Sequence, residues 1–189
     1  MRGWPNWEIE KYLSVKSNDP ADYTLCFAYR GDVLCCEGVF LSSIAQQAGT
    51  PTYVYSRASI LTAYRNFGHA FRAVPHTICY AVKANSNLSL LRLLARAGSS
   101  FDIVSGGELY RLLKIGVPGR RIVFSGVGKS REEIREALRA RILLFNVESE
   151  SELELLAEEA ARVSRPAPAA LRRRLRRKMR IFNPRVPLM

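Results

Sequence analysis

Thr77-Ile78-Cys79-Tyr80-Ala81-Val82-Lys83-Ala84-Asn85 is the stretch that decides the fold. Its first six residues form a short apolar run, as in a buried strand, and a lysine closes it. Leu90, Leu91 and Leu94 follow at the spacing of one helix face, and Gly98 stops that helix. The same unit then recurs. Phe101-Asp102-Ile103-Val104 precedes a helix carrying Leu109, Leu112 and Leu113 that stops at Gly116. Ile122-Val123-Phe124 precedes one through Ile134 and Leu138, and Ile142-Leu143-Leu144-Phe145 precedes one with Leu153, Leu155 and Leu156. Ala169-Ala170-Leu171 adds a fifth short strand.

Three of these helices open with S-x-x-E: Ser105 with Glu108, Ser130 with Glu133, and Ser149 with Glu152. In such a box the two side chains satisfy backbone N–H groups that the first helical turn leaves free. Strand, short loop and capped helix, repeated, is the pattern of a parallel α/β protein. Periodicity leaves two architectures open, a doubly wound open sheet and part of a (β/α)8 barrel. No G-x-G-x-x-G and no Walker loop is present, so neither a dinucleotide nor a P-loop nucleotide is indicated.

Upstream, residues 1–26 show no clean period and are read as an irregular extension. Tyr29-Arg30-Gly31-Asp32-Val33 reads as a tight turn entering a strand. Val39-Phe40-Leu41 with Ile44 and Ala45 predicts a short helix stopped by Gly49. Thr52-Tyr53-Val54-Tyr55 has the composition of a strand. Ile60, Tyr64, Phe67 and Phe71 mark one face of a helix that ends before Pro75.

The formal charge of +12 is unevenly placed. No acid follows Glu159, and ten of the 29 basic residues lie between Arg162 and Arg185. Residues 1–161 hold nineteen basic against seventeen acidic residues, a net +2. The basicity therefore belongs to a tail over 172–189, where Leu171, Leu175 and Met179 are spaced for an amphipathic helix. Cys26, Cys35, Cys36 and Cys79 form no CxxC pair, and only His69 and His76 could join them. Reduced thiols are expected and a zinc site is not. The sequence has no run long and apolar enough for a membrane span and no apolar signal core, so a cytoplasmic protein is expected.

Lys83 closes a strand at the end of a parallel sheet where ligands and catalytic groups gather. A partly desolvated amine there can attack an aldehyde. Its surroundings, Tyr80-Ala81-Val82-Lys83-Ala84-Asn85-Ser86-Asn87, resemble the pyridoxal phosphate attachment segment of the ornithine/diaminopimelate/arginine decarboxylase family. Glu37-Gly38-Val39, Gly49-Thr50-Pro51-Thr52-Tyr53-Val54-Tyr55, Phe101-Asp102-Ile103-Val104-Ser105-Gly106-Gly107-Glu108-Leu109, Phe124-Ser125-Gly126-Val127-Gly128-Lys129 and Phe145-Asn146-Val147-Glu148-Ser149 follow in family order. The likeness spans about residues 27–171 and is strongest to the members that act on diaminopimelate.

The resemblance implies a partial (β/α)8 barrel of the alanine-racemase-like type, with four to five βα units over 27–171. It implies pyridoxal 5'-phosphate held covalently by Lys83, with Asp102 beside the cofactor and Arg172 as a further contact. It also implies a small amino-acid substrate, meso-diaminopimelate, losing its carboxylate as carbon dioxide in lysine biosynthesis. It further implies a homo-oligomer for full-length members, with no membrane partner and no nucleic-acid partner expected. Glu108 lies near the site in relatives, but its place in a capping box accounts for it equally well. After Leu171 the family pattern gives way to an arginine-rich run. The family's ring-stacking histidine, phosphate loop and Glu-Pro-Gly-Arg motif are not found, so a truncated chain with little or no activity alone is expected. The competing expectations are a non-catalytic homologue that binds a family partner, a decarboxylase of ornithine or arginine, and a nucleic-acid binder acting through its tail.

Overall fold

Arg30-Gly31-Asp32-Val33 turns as its composition dictates, with Gly31 at φ +59 in a two-residue loop. The loop joins β1 (Phe27–Arg30) to β2 (Val33–Cys36), antiparallel. A second two-residue loop, Glu37 at φ +50 and Gly38 at φ +87, joins β2 to β3 (Val39–Phe40). Positive φ at both central positions matches the right-handed strand twist. α1 (Leu41–Ala48) follows directly and ends at Gly49, at φ +79. Val39 and Phe40 are thus strand residues and the predicted helix begins at Leu41.

The computed structural model describes residues 26–171, which divide after His76 into two compact units. The expected tail over 172–189 and Arg172 lie outside the described residues, as does all of the expected extension except Cys26. Thr52-Tyr53-Val54-Tyr55 is a correction: it forms no strand. β-branched and aromatic residues favour a pleated surface only where a neighbouring strand supplies the ladder, and none pairs with these four among the described residues. α2 (Arg57–Ala70) carries the expected face and is capped by Ser56, whose hydroxyl accepts the Ser59 N–H at 2.9 Å. Glu37 adds a second cap from the hairpin loop. Its Oε1 accepts the Ser56 hydroxyl at 2.5 Å and the Ala58 N–H at 2.7 Å, placing a carboxylate at a helix N-terminus.

The second unit is a parallel sheet. β4 (Cys79–Ala81), β5 (Ser100–Ile103), β6 (Ile122–Phe124), β7 (Leu144–Val147) and β8 (Ala169–Leu171) lie in that order. Between them run α3 (Leu88–Arg96), α4 (Gly106–Lys114), α5 (Arg131–Ala140) and α6 (Glu150–Arg162). The order settles the architecture that periodicity left open. A doubly wound sheet reverses its strand order, whereas sequential strands with crossovers of one hand keep every helix on one face. α3, α4, α5 and α6 each touch the next, as a single helical layer requires. This is the winding of a (β/α)8 barrel; among the described residues it is present as four βα units and a fifth strand and is not closed.

Parallel register sorts the strand residues into two faces. Val82, Phe101, Ile103, Ile122, Phe124, Phe145, Val147 and Ala169 share the helix side and are all buried. Register partners meet there as rings: Tyr80 edge-on to Phe101 at 6.5 Å, and Phe124 stacked on Phe145 at 6.2 Å. Each fully buried side chain of this size contributes about 1.5–3 kcal/mol of transfer free energy. Cys79, Ala81, Ser100, Asp102, Val123, Ser125, Leu144, Asn146 and Ala170 fall on the other side, where Ser100 and Val123 are buried and the rest remain partly exposed. Among the described residues no helix is long and apolar enough to cross a membrane.

Candidate functional site

β4 ends because Val82 enters a single 3-10 turn, Val82–Ala84, which buries the valine and leaves Lys83 exposed. The loop beyond is tied at several points. The Tyr80 hydroxyl donates to the Asn85 carbonyl at 3.4 Å, and the Asn85 side chain accepts the Asn87 N–H at 3.0 Å. Asn87 then caps α3, accepting from Ser89 N–H at 2.9 Å and Leu90 N–H at 3.4 Å. The lysine thus stands on a fixed backbone at the carboxyl end of the first parallel strand.

On the neighbouring strand, Asp102 lies opposite Ala81. Its Oδ1 accepts the hydroxyl of Ser125, just past β6, and the Ser125 oxygen accepts Nδ2 of Asn146 on β7 at 2.8 Å. A row of side chains therefore crosses three strands on the face away from the helices. Donation runs one way, from amide to hydroxyl to carboxylate, which is the direction an ionised Asp102 requires. Cys79 shares this face, and burial first, then the Asp102 charge, pushes its thiol up from the usual range.

The loops above this row are clamped. Lys129 is 5 % exposed, and its ammonium uses all three hydrogens: on Gly126 O at 2.7 Å, Asn146 O at 2.9 Å and Glu152 Oε1 at 2.6 Å. It also lies 5.5 Å over the Phe124 ring. Gly126, at φ +87, carries its backbone so close to Val104 that a Cβ there would meet the Val104 Cβ at 3.2 Å.

The three S-x-x-E segments divide. Ser130 and Glu133 form the complete reciprocal box. Glu108 and Glu152 instead reach one residue further, to Val104 N–H at 2.8 Å and Glu148 N–H at 3.4 Å. Their caps, Ser105 and Ser149, are extended at φ −157 and −148, against −74 for Ser130, so the amide presented to the helix end is the preceding one. Glu108 is buried in that capping role. Asp102 thus stands on the strand next to the one that Lys83 follows, while Ser125, Asn146 and Lys129 were not singled out by sequence. Their signal was present in the quoted segments after β6 and in β7, where polar residues interrupt apolar strand ends. A cavity of about 460 Å³ between the starts of α5 and α6, bounded by Lys129, Arg131, Glu152 and Glu158, includes none of the row.

Residues 57–179 match the family described as pyridoxal-dependent decarboxylase, pyridoxal binding domain. Over 147 residues the chain is 55% identical to a diaminopimelate decarboxylase of Pseudomonas fluorescens, covering 77% of this chain and 35% of that protein. A crystal structure from Aquifex aeolicus superposes with a TM-score of 0.74 at 46% identity, covering 79% of this chain and 36% of the other. A diaminopimelate decarboxylase from M. jannaschii, in co-complex with L-lysine, gives a TM-score of 0.74 at 37% identity, covering 77% and 35%. The chain spans about a third of the length of the curated relatives it matches.

Proposed function

The chain belongs to the pyridoxal-dependent decarboxylases through their pyridoxal-binding domain, and from that membership we propose that it is the cofactor-holding part of a diaminopimelate decarboxylase. In this reading residues 27–171 are the cofactor-binding segment, Lys83 is the covalent anchor, and Asp102 lies beside the bound group. Arg172, outside the described residues, is a candidate further contact. One observation carries the reading: an exposed primary amine closes the first parallel strand, next to the strand that bears Asp102.

The residues present suit pyridoxal 5'-phosphate. A primary amine on a fixed loop can hold an aldehyde, and the Asp102 carboxylate lies on the adjacent strand. When bound, the cofactor supplies an electron sink for the bond to the departing carboxylate. With the cofactor bound, Lys83 Nζ would be the group placed to carry a proton to the reacting carbon. The carboxylate of Asp102 favours cationic groups near it, and its hydrogen bond from Ser125 limits its rotation. The family further supports a homo-oligomer acting in the cytoplasm on a small amino acid, with meso-diaminopimelate as substrate.

Borohydride reduction of the chain mixed with pyridoxal 5'-phosphate, followed by peptide mass spectrometry, tests the anchor. A pyridoxyl group on Lys83, lost in Lys83→Ala, is expected; labelling spread over other lysines but sparing Lys83 would sink the proposal. Absorbance changes of the loaded chain on adding meso-diaminopimelate, ornithine or arginine test the substrate. Tighter binding of either of the latter would reassign it.

A further inference from the structure

We infer that Ser125 and Asn146 are positioning residues for Asp102, forming one relay that sets the orientation of its carboxylate at the cofactor end of the sheet; this rests on the function proposed above. The geometry is specific. Asn146 Nδ2 donates to Ser125 Oγ at 2.8 Å, and the Ser125 hydroxyl donates to Asp102 Oδ1. A serine hydroxyl has one proton, so accepting from Asn146 leaves that proton committed to the carboxylate. Asp102 Oδ2 meets no donor among the described residues, which leaves one oxygen of the fixed carboxylate for a ligand cation or N–H group. Without the relay, the carboxylate would be free to rotate about its side-chain bonds.

The relay has a foundation. Lys129 donates to the carbonyls of Gly126 and Asn146, the residue after Ser125 and the relay's own first donor. Its third hydrogen goes to Glu152 at the start of α6. The ends of β6 and β7 are thereby held at the separation that the Asn146–Ser125 bond spans. Glu108 and Glu133 serve helix starts, whereas Ser125 and Asn146 cap no helix among the described residues. These two lie instead on the partly exposed face, where a serine and an asparagine are not needed to fill a core.

Cys79 provides a readout that needs no cofactor, because the Asp102 charge acts on its thiol from the adjacent strand. In the cofactor-free chain, the pH profile of Cys79 alkylation is measured for wild type, Asp102→Asn, Ser125→Ala, Asn146→Leu and Ser125→Thr. Near-UV circular dichroism confirms folding. Asp102→Asn removes the charge and moves the midpoint down; Ser125→Ala and Asn146→Leu keep the charge but free its position, so they are expected to displace the midpoint from that of wild type, and Ser125→Thr to restore it. The same variants are then titrated with pyridoxal 5'-phosphate, where Ser125→Ala and Asn146→Leu should bind about tenfold more weakly and shift the pH midpoint of the bound chromophore. Should Ser125→Ala not fold, Asn146→Leu carries the test alone. Profiles of Ser125→Ala and Asn146→Leu that coincide with wild type in the cofactor-free chain overturn the relay. A relay confirmed there, with no adduct on Lys83 of wild type, would overturn the proposed function instead.

Discussion

Lys129 Nζ lies 2.6 Å from Glu152 Oε1 in a buried ion pair that joins the loop after β6 to the first turn of α6. Both charges are desolvated, and the pair is tolerable only because the lysine's other two hydrogens meet carbonyls. Truncating one partner strands the other. Lys129→Ala is expected to cost about 3–5 kcal/mol in urea denaturation. The double variant Lys129→Met/Glu152→Leu should lose much less, since no buried charge remains. A single variant as mild as the double one would show that the site hydrates freely.

Gly119 makes a different demand. It lies in the turn before β6, and a Cβ there would sit 1.9 Å from the Ala140 carbonyl oxygen and 2.8 Å from that of Arg141. Both obstacles are backbone, so no side chain can swing away. Gly119→Ala should therefore force the α5–β7 connection away from β6, at a cost of more than about 3 kcal/mol. Gly107→Ala, with only side-chain atoms at 3.9 Å, is the control and should change stability by about 1 kcal/mol or less. Thermal melts of the two variants read the contrast.

The repeated strand and helix were legible because each strand is a short apolar run and each helix has its own period and cap. Lys83 and Asp102 were legible because they close or nearly close such runs. Ser125 and Asn146 were not, since their partnership depends on a register between β6 and β7 that no local pattern encodes. Lys129 follows Gly126 and Gly128 with no local pattern to mark it for burial, yet it is among the most buried polar residues. Its burial follows from Glu152, twenty-three positions on. Thr52-Tyr53-Val54-Tyr55 failed for the converse reason: its composition suits a strand, but a strand also needs a neighbour.

The antiparallel unit should lose stability at high pH. Burial, then the charges of Glu37 and Cys26, push the Cys36 thiol up from 9.0 to about 11. A thiol that holds its proton more tightly when folded stabilises fully below the unfolded value, and that contribution falls as pH rises from about 9 to about 11. Cys36→Ala should flatten the alkaline limb of stability against pH in this window, while lowering neutral stability slightly through lost packing. An unchanged alkaline limb would assign the loss to other groups.

Acid acts on the second unit through Glu133. Its Oε1 accepts Gly106 N–H at 2.7 Å and its Oε2 accepts Ser130 N–H at 3.0 Å, so one carboxylate satisfies the starts of both α4 and α5. Burial pushes its pKa up, but the Ser130 and Gly106 amides, the Ser130 hydroxyl and the Lys129 charge together hold it below the ordinary value of 4.5. A depressed carboxyl stabilises above its unfolded pKa, and the contribution is lost as pH falls through the folded one. Glu133→Gln keeps the shape but has a single acceptor oxygen, so one of the two helix starts loses its partner. A cost of about 1–2 kcal/mol at pH 7 is expected, shrinking in acid as pH falls through the lowered folded value and wild type protonates. Urea denaturation of both forms at pH 7 and in acid measures it, and a difference that persists undiminished in acid would place the role of Glu133 in packing rather than charge.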